Sequence, residues 1–143
     1  MPNVKHSRVD TTLVYVLDTN TLIYFFKGSG RVAERLFDEA PADIGIPAVV
    51  IFELLTSIAK SAYPKKRTKQ LNSLLDAVKL IPFSIEEAKS SAAIRAQLEK
   101  KGTPIGPLDV LIAGTALANR AVLVSHNLAE FNRVDSLKTE DWY

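Results

Sequence analysis

The chain has 143 residues, enough for one domain with a sizeable core, and its hydrophobic fraction of 47% is ordinary for a globular protein. It contains no cysteine, which excludes disulfides, thiol catalysis and cysteine-based zinc sites. A net charge of +2 excludes a chain that is basic throughout. No apolar run approaches the roughly 20 residues of a membrane span, and residues 1–12 lack the apolar core of a signal peptide. We therefore expect a cytoplasmic protein with no membrane partner.

Short apolar strands alternate with amphipathic helices along the chain. Residues 1–12 are predicted to form a loose extension and residues 13–143 a single domain. The predicted strands are 14–17, 44–46, 78–83 and 121–124, and the predicted helices are 21–27, 31–39, 48–62, 66–77, 85–101 and 107–119. The last segment, 134–143, is expected to add a short strand or to pack through Trp142. Nearly continuous apolar strands between helices predict an α/β fold with a parallel sheet covered on both faces.

Polar side chains follow the predicted strand ends and helix starts. Asp18 ends the first strand, Glu53 lies in the first turns of the 48–62 helix, and Asp109 lies in the first turn of the 107–119 helix. Asn127 and Glu130 follow the last clear strand. Each acid alone has a simpler explanation as a helix cap or a solvent-exposed side chain. Together they are expected to meet at one edge of the sheet, where parallel α/β folds bind their ligands.

Several carboxylates in one cleft repel each other unless a cation lies between them. Oxygen ligands without cysteine or a histidine pair favour Mg²⁺ or Mn²⁺ over zinc. Such an ion binds phosphate oxygens and activates water, so the predicted chemistry is hydrolysis of a phosphodiester.

Other catalytic schemes fit the sequence poorly. Ser125 and His126 are adjacent, which does not favour a nucleophile–base pair, and there is no GxSxG turn. We interpret His126 as a surface or phosphate-contacting residue. The loop 102–107 is rich in glycine but lacks the lysine of a P-loop, so it is interpreted as a turn that places Asp109.

A basic cluster precedes and opens the 66–77 helix. Its members are Lys65, Lys66, Arg67 and Lys69. The cluster is either a solvated helix face or a rim that contacts RNA phosphates.

Four segments together resemble a known family. They are Leu17-Asp18-Thr19-Asn20, Glu53 with its apolar neighbours, the run from Gly102 to Asp109, and the run from Ser125 to Phe131. This ordered set resembles a PIN-domain ribonuclease and, more narrowly, a VapC toxin of a bacterial type II toxin–antitoxin pair. The resemblance covers residues 13–142. It implies a three-layer α/β/α PIN-like fold with a central, mainly parallel sheet, and a metal-dependent endoribonuclease that uses Mg²⁺ or Mn²⁺.

The resemblance also implies roles and partners. Asp18, Glu53 and Asp109 correspond to the core acids of the family, which bind the metal and act in catalysis. Asn127 or Glu130 corresponds to a fourth metal ligand, and Glu130 is also a catalytic candidate. Ser125 stands where threonine is common, with a hydroxyl able to bond to Asp18. The implied partners are a VapB-like antitoxin, a structured RNA such as a tRNA or rRNA loop, and a second copy of the chain in a homodimer. Promoter DNA is expected to bind only through the antitoxin.

The sequence has two alternatives to this function. A catalytically silent PIN-fold module that binds RNA or protein remains the alternative, although all three core acids are present. A phosphoacceptor receiver domain needs adjacent acids after the first strand and a lysine after the last strand. Here Thr19 follows Asp18, and the last clear strand ends in Ser-His-Asn, so the sequence disfavours a receiver domain.

Overall fold

The computed structural model of the protein describes residues 13–143, so the predicted extension, residues 1–12, lies outside the described part. A five-stranded sheet forms its centre, with strand order β3-β2-β1-β4-β5 and every pair of neighbours parallel. The strands are β1 (Tyr15–Leu17), β2 (Ile44–Pro47), β3 (Lys79–Ile81), β4 (Val122–Val124) and β5 (Thr139–Glu140).

Helices flank this sheet and connect its strands. They are α1 (Thr19–Lys27), α2 (Val32–Asp38), α3 (Ala48–Ala59), α4 (Pro64–Ala77), α5 (Ile85–Lys101), α6 (Pro107–Ala118) and α7 (Leu128–Phe131), with a 3₁₀ turn at Pro41–Asp43. The chain adds β2 and β3 on one side of β1, and then β4 and β5 on the other side. Because crossovers between parallel strands are right-handed, this change of side places helices on both faces of the sheet. The predicted α/β/α class with a parallel sheet is confirmed.

Local sequence signals explain where these helices begin and end. Asp18 caps α1 by accepting a hydrogen bond from the Thr21 N–H, and Gly28 ends the helix at φ 69°. Ser84 and Glu87 form the predicted capping box of α5, and Gly102 ends that helix at φ 73°.

The core lies between the sheet and both helical layers. The strands β1, β2 and β4 supply its centre, and their inward side chains have at most 1% of their surface exposed (Val16, Leu17, Ile44, Ile46, Leu123 and Val124). Strands buried on both faces explain the unbroken apolar runs in the sequence. Among residues 13–143, no helix has the length and apolarity that crossing a bilayer requires.

Element boundaries differ from the predicted ones in a few places. Helix α3 ends at Ala59 rather than at residue 62, and α4 begins at Pro64, two residues early, because proline suits the first turn of a helix. Strand β3 is shorter than predicted because Pro82 has no N–H for the ladder. The short helix α7 was not predicted. Both expectations for the last segment hold, since β5 pairs with β4 and Trp142 is buried.

The order in which the chain adds strands to the sheet reverses between β1 and β4. Leu17 is in register with Val124, so Asp18 and Ser125 leave these two strands side by side. Ligands of open parallel sheets bind at such a switch point, outside the C-terminal ends of the strands. We call this the C-terminal edge of the sheet.

Candidate active site

Asp18 is the most deeply buried acid of the C-terminal edge, with 4% of its surface exposed. Its Oδ1 accepts a hydrogen bond of 2.9 Å from the Thr21 N–H. Burial raises the pKa of Asp18 above its ordinary value, and the charge of Asp141 adds to this, while hydrogen bonds from Ser125 and Thr21 oppose it. The α1 cap therefore holds this carboxylate at a fixed position beside β4.

Asp109 and Glu130 form a carboxyl pair next to the loop that precedes α6. Burial raises the pKa of Asp109 to about 7, and the hydrogen bond and charge of Glu130 and the charges of Glu53 and Asp18 act in the same direction. Burial would also raise the pKa of Glu130, but hydrogen bonds from the Gly106 N–H, Asp109 and Asn127 outweigh it and lower that pKa. The higher pKa of the pair therefore belongs to Asp109, which is about half protonated near pH 7.

Glu53 lies half-buried on α3 and accepts a hydrogen bond from the Thr19 hydroxyl. Thr19 opens α1 directly after Asp18, so the bond holds the Glu53 side chain, from the middle of α3, beside the beginning of α1. Because the charge of Glu53 contributes to the raised pKa of Asp109, Glu53 faces the same cleft as Asp18, Asp109 and Glu130. We call these four side chains the acidic cluster.

The polar residues after β4 support the acidic cluster. Ser125 is fully buried and its Oγ accepts a hydrogen bond of 2.9 Å from the Asn127 N–H, besides its bond to Asp18. The Asn127 amide nitrogen donates to Glu130 Oε2 at 3.0 Å, and the Gly106 N–H donates to Glu130 Oε1 at 2.7 Å. The Ser125 hydroxyl lies close enough to Asp18 to lower the pKa of that carboxyl, and Asn127 orients Glu130.

The acidic cluster has an excess of negative charge. Within residues 13–143, none of its four carboxylates forms an ion pair with lysine or arginine. In the same range, no three carboxylate or imidazole side chains stand close enough, as placed, to hold a metal ion together. This donor set fits Mg²⁺ or Mn²⁺, because such ions bind one or two carboxylates and keep several waters.

The basic cluster lies away from these acids. Arg67 donates from Nη1 to the Phe26 carbonyl at 2.9 Å and to Gln70 Oε1 at 2.8 Å. Phe26 is near the end of α1 opposite to Asp18, about 12 Å along the helix at 1.5 Å per residue. Arg67 thus joins α4 to α1, whereas Lys65, Lys66 and Lys69 are exposed. A role of these lysines in RNA binding stays a prediction.

Sequence reasoning missed Asp141. Strand β5 pairs with β4 and brings Asp141 beside His126, whose Nδ1 lies 2.9 Å from Asp141 Oδ2. A two-residue strand has too little alternation to be recognised, and only the neighbouring Trp142 marked the segment for packing. His126 is exposed, in agreement with its interpretation as a surface residue.

A family model described as "PIN domain" matches residues 15–137, which include the whole acidic cluster. The chain belongs to the PIN domain family. This agrees with the parallel sheet and with the acids placed at its C-terminal edge.

Curated relatives match almost their whole length. The tRNA(fMet)-specific endonuclease VapC of Salmonella typhimurium is 32% identical over 130 residues, 91% of this chain and 98% of that protein. Ribonuclease VapC2 of Haemophilus influenzae is 32% identical over 130 residues with the same coverage, and Ribonuclease VapC2 of Rickettsia felis is 33% identical over 132 residues, again 91% and 98%.

Solved structures give the same result for the fold. The DNA-bound VapBC of Salmonella typhimurium superposes with a TM-score of 0.85 at 32% identity, over 92% of this chain and 99% of that one. VapBC2 of Rickettsia felis, bound to a DNA fragment from its promoter, superposes with a TM-score of 0.84 at 32% identity, over 92% and 100%.

Proposed function

We propose that this chain is a VapC-like endoribonuclease toxin that hydrolyses phosphodiester bonds in structured RNA with the help of Mg²⁺ or Mn²⁺. The single observation that carries the proposal is the acidic cluster itself. Asp18, Glu53, Asp109 and Glu130 come from separate parts of the chain and meet at one edge of the sheet. Burial raises the pKa of Asp109 to about 7, and the charges of Glu130, Glu53 and Asp18 act in the same direction. Within residues 13–143, no lysine or arginine forms an ion pair with these acids.

Each acid has a distinct place in this proposal. Asp18 and Asp109 would hold the cation, and Glu53 and Glu130 would bind it through its water ligands. Asn127 is assigned to orient Glu130 because its amide nitrogen already donates to that carboxylate. When bound, the cation supplies Lewis-acid stabilisation of phosphate oxygens and lowers the pKa of an attacking water.

A tRNA is the substrate class that we propose, because the Salmonella relative is named a tRNA(fMet)-specific endonuclease. The site of action would then be the cytoplasm, where tRNA is found. The alternative is a catalytically silent PIN-fold module that binds RNA or protein. It is less favoured because silent modules have no need for four converging carboxylates.

A VapB-like antitoxin is the proposed partner, since the solved relatives are VapBC complexes. An apolar cavity of about 620 Å³ between α1, α2 and α4 is a surface for it. Phe25 and Phe37 pack edge to face across this cavity, and Phe37 is 77% exposed. Exposed aromatic side chains of this kind are typical anchors of protein interfaces. A homodimer, and promoter binding only through the antitoxin, belong to the same proposal.

The test is cleavage of tRNA by the purified chain with Mg²⁺, with Mn²⁺ and with EDTA. We expect cleavage only with metal, and a loss of at least about a thousandfold in rate for Asp18→Asn and Asp109→Asn, since each removes a charge needed around the cation. The matched control is Glu86→Gln, an exposed acid on α5, which should cleave at the wild-type rate. Undiminished cleavage in EDTA, or by Asp109→Asn, would reject the assigned site.

A further inference from the structure

Three aromatic rings form a cluster at the C-terminal edge of the sheet. The imidazole of His126 and the ring of Tyr143 are stacked, with centroids 4.4 Å apart and planes at 22°. Tyr24 meets both rings nearly at right angles, at 4.7 Å from Tyr143 and 5.7 Å from His126. We call these residues the aromatic cluster.

Hydrogen bonds fix the orientation of these rings. Asp141 binds His126 Nδ1 with Oδ2 and accepts from the Tyr143 N–H with Oδ1, both at 2.9 Å. The Tyr143 carbonyl accepts from the Arg31 N–H at 3.2 Å. Gly30 lies against the Tyr143 ring, where a Cβ would come within 2.9 Å of two ring carbons. The imidazole is therefore held rigidly rather than free to rotate in solvent.

One face of the imidazole remains open. Tyr143 covers the opposite face, Asp141 occupies Nδ1, and yet 45% of the His126 side chain is exposed. Tyr24 lies closer to Tyr143 than to His126 and stands beside the stacked pair, so we assign the exposed surface to the second ring face and the Nε2 edge. A flat, fixed aromatic face is the geometry on which an unpaired nucleobase stacks.

This open face lies next to the acidic cluster. His126 directly follows Ser125, whose hydroxyl bonds to Asp18. Asp141, which binds His126, is also close enough to Asp18 for its charge to act on that carboxyl. A nucleotide whose phosphate would be held by a cation at the acidic cluster can thus place its base, or that of a neighbour, over the imidazole.

We infer that the open face of His126, backed by Tyr143 and fixed by Asp141, stacks on an unpaired nucleobase beside the cleaved bond. This inference rests on the proposed ribonuclease function and adds a substrate-positioning residue to it. Stacking uses the π-face that every base has, so it positions RNA loops with little dependence on base identity.

The experiment compares His126→Ala with His126→Phe, which keeps a flat ring but has neither the imidazole nitrogens nor their charge. The substrate is an initiator tRNA transcript, and both variants are checked for an unchanged melting temperature. We expect His126→Ala to lose about tenfold in kcat/KM, mainly through KM, and His126→Phe to stay within about threefold of wild type. Tyr63→Ala, an exposed aromatic residue before α4, is the control and should cleave normally.

A second arm uses tRNA transcripts with one abasic nucleotide at each position that flanks the cut. One such position should cost the wild-type protein about tenfold and cost His126→Ala nothing further, because the two changes remove the same stacking contact. Equal sensitivity of both proteins at every position, or a His126→Phe variant as impaired as His126→Ala, would overturn the inference. Failure of the wild-type protein to cleave intact tRNA would instead reject the proposed function, and this inference with it.

Discussion

Asp18 is both a helix cap and a member of the acidic cluster, two positions that the sequence alone presents as alternatives. Its carboxylate caps α1 through the Thr21 N–H, and it also faces Glu53, Asp109 and Glu130 in the cleft. The cap is what fixes the acid, because a bonded carboxylate at a helix start cannot turn away into solvent. A capping explanation for a strand-end aspartate is therefore no argument against a functional one.

The protonation of Asp109 makes folding stability depend on pH. Its pKa is about 7 in the fold against 3.8 ordinarily, so between these values the folded chain binds more protons than the unfolded chain. Stability must then fall as pH rises through this window. We expect metal-free wild type to lose about 1–2 kcal/mol more than Asp109→Asn between pH 5 and pH 8, a value reduced for the partial exposure of the side chain.

Thermal unfolding in EDTA at the two pH values measures this difference. Asp18, whose pKa is also raised, keeps part of the dependence in the Asp109→Asn variant. Glu86→Gln should behave as wild type, because Glu86 is exposed on α5. Identical pH dependence in wild type and Asp109→Asn would show that Asp109 ionises normally.

The sequence predicts the place of a site residue in the fold when that place follows from its position along one strand or helix. Asp18, Glu53, Asp109 and Glu130 follow strands or open helices, so parallel topology alone brings them to one edge. Asp141 was missed because its place depends on the pairing of β5 with β4. Arg67 was grouped with its basic neighbours because no sequence signal indicates its bond to the Phe26 carbonyl.

At the scale of elements, the helices with strong end signals were predicted best. The capping box and Gly102 predict both ends of α5 correctly. The end of α3 has no such signal, and the predicted end lies three residues beyond the observed one, Ala59. Helix α7 was missed because one turn of helix has no periodicity to read. That turn nevertheless carries Glu130 into the cleft.

The position of α6, which carries Asp109, depends on its crossing with α5 at Gly114. A Cβ at Gly114 would come within 1.9 Å of Ser91 Oγ and 2.7 Å of the Ser91 backbone. We expect Gly114→Ala to lower the free energy of unfolding by about 2 kcal/mol, although alanine favours helix by about 1 kcal/mol, because the crossing must open. Chemical denaturation measures this effect.

Ser91→Ala is the matched control for this crossing. The Ser91 hydroxyl is buried without a hydrogen-bond partner in the described part of the chain, so its removal should be neutral or slightly stabilising. The double variant Gly114→Ala, Ser91→Ala should not regain wild-type stability, because the Cβ added at position 114 would still collide with the Ser91 backbone. A Gly114→Ala protein as stable as wild type would contradict this close packing.

The apolar cavity formed by α1, α2 and α4 gives a prediction for the antitoxin. Replacing Phe37 by alanine should weaken binding of the cognate antitoxin by about 30-fold, as expected for an aromatic anchor, and leave RNA cleavage unchanged. Isothermal titration with the antitoxin measures the affinity. Ile85→Ala is the control, because Ile85 is also an exposed apolar side chain, on α5. A loss for Ile85→Ala as large as that for Phe37→Ala would place the antitoxin elsewhere.

At the scale of the whole molecule, the architecture concentrates uncompensated charge at one place. The sheet order β3-β2-β1-β4-β5 puts the switch point between β1 and β4. Helices α6 and α7 each carry an acid in their first turn beside it, and α3 carries Glu53 in its second turn. The fold is stabilised elsewhere, by apolar strands buried on both faces. The carboxylate repulsion at this edge thus weakens folding locally, and under the proposed function a bound cation would relieve it.

The most direct test of this account is the anomalous diffraction of crystals soaked in Mn²⁺. We predict an anomalous peak between the carboxylates of Asp18 and Asp109, within bonding distance of at least one of them, and its absence from crystals of Asp109→Asn. A map of the wild-type protein without a peak among the four acids, or with the ion bound only elsewhere, would contradict the account.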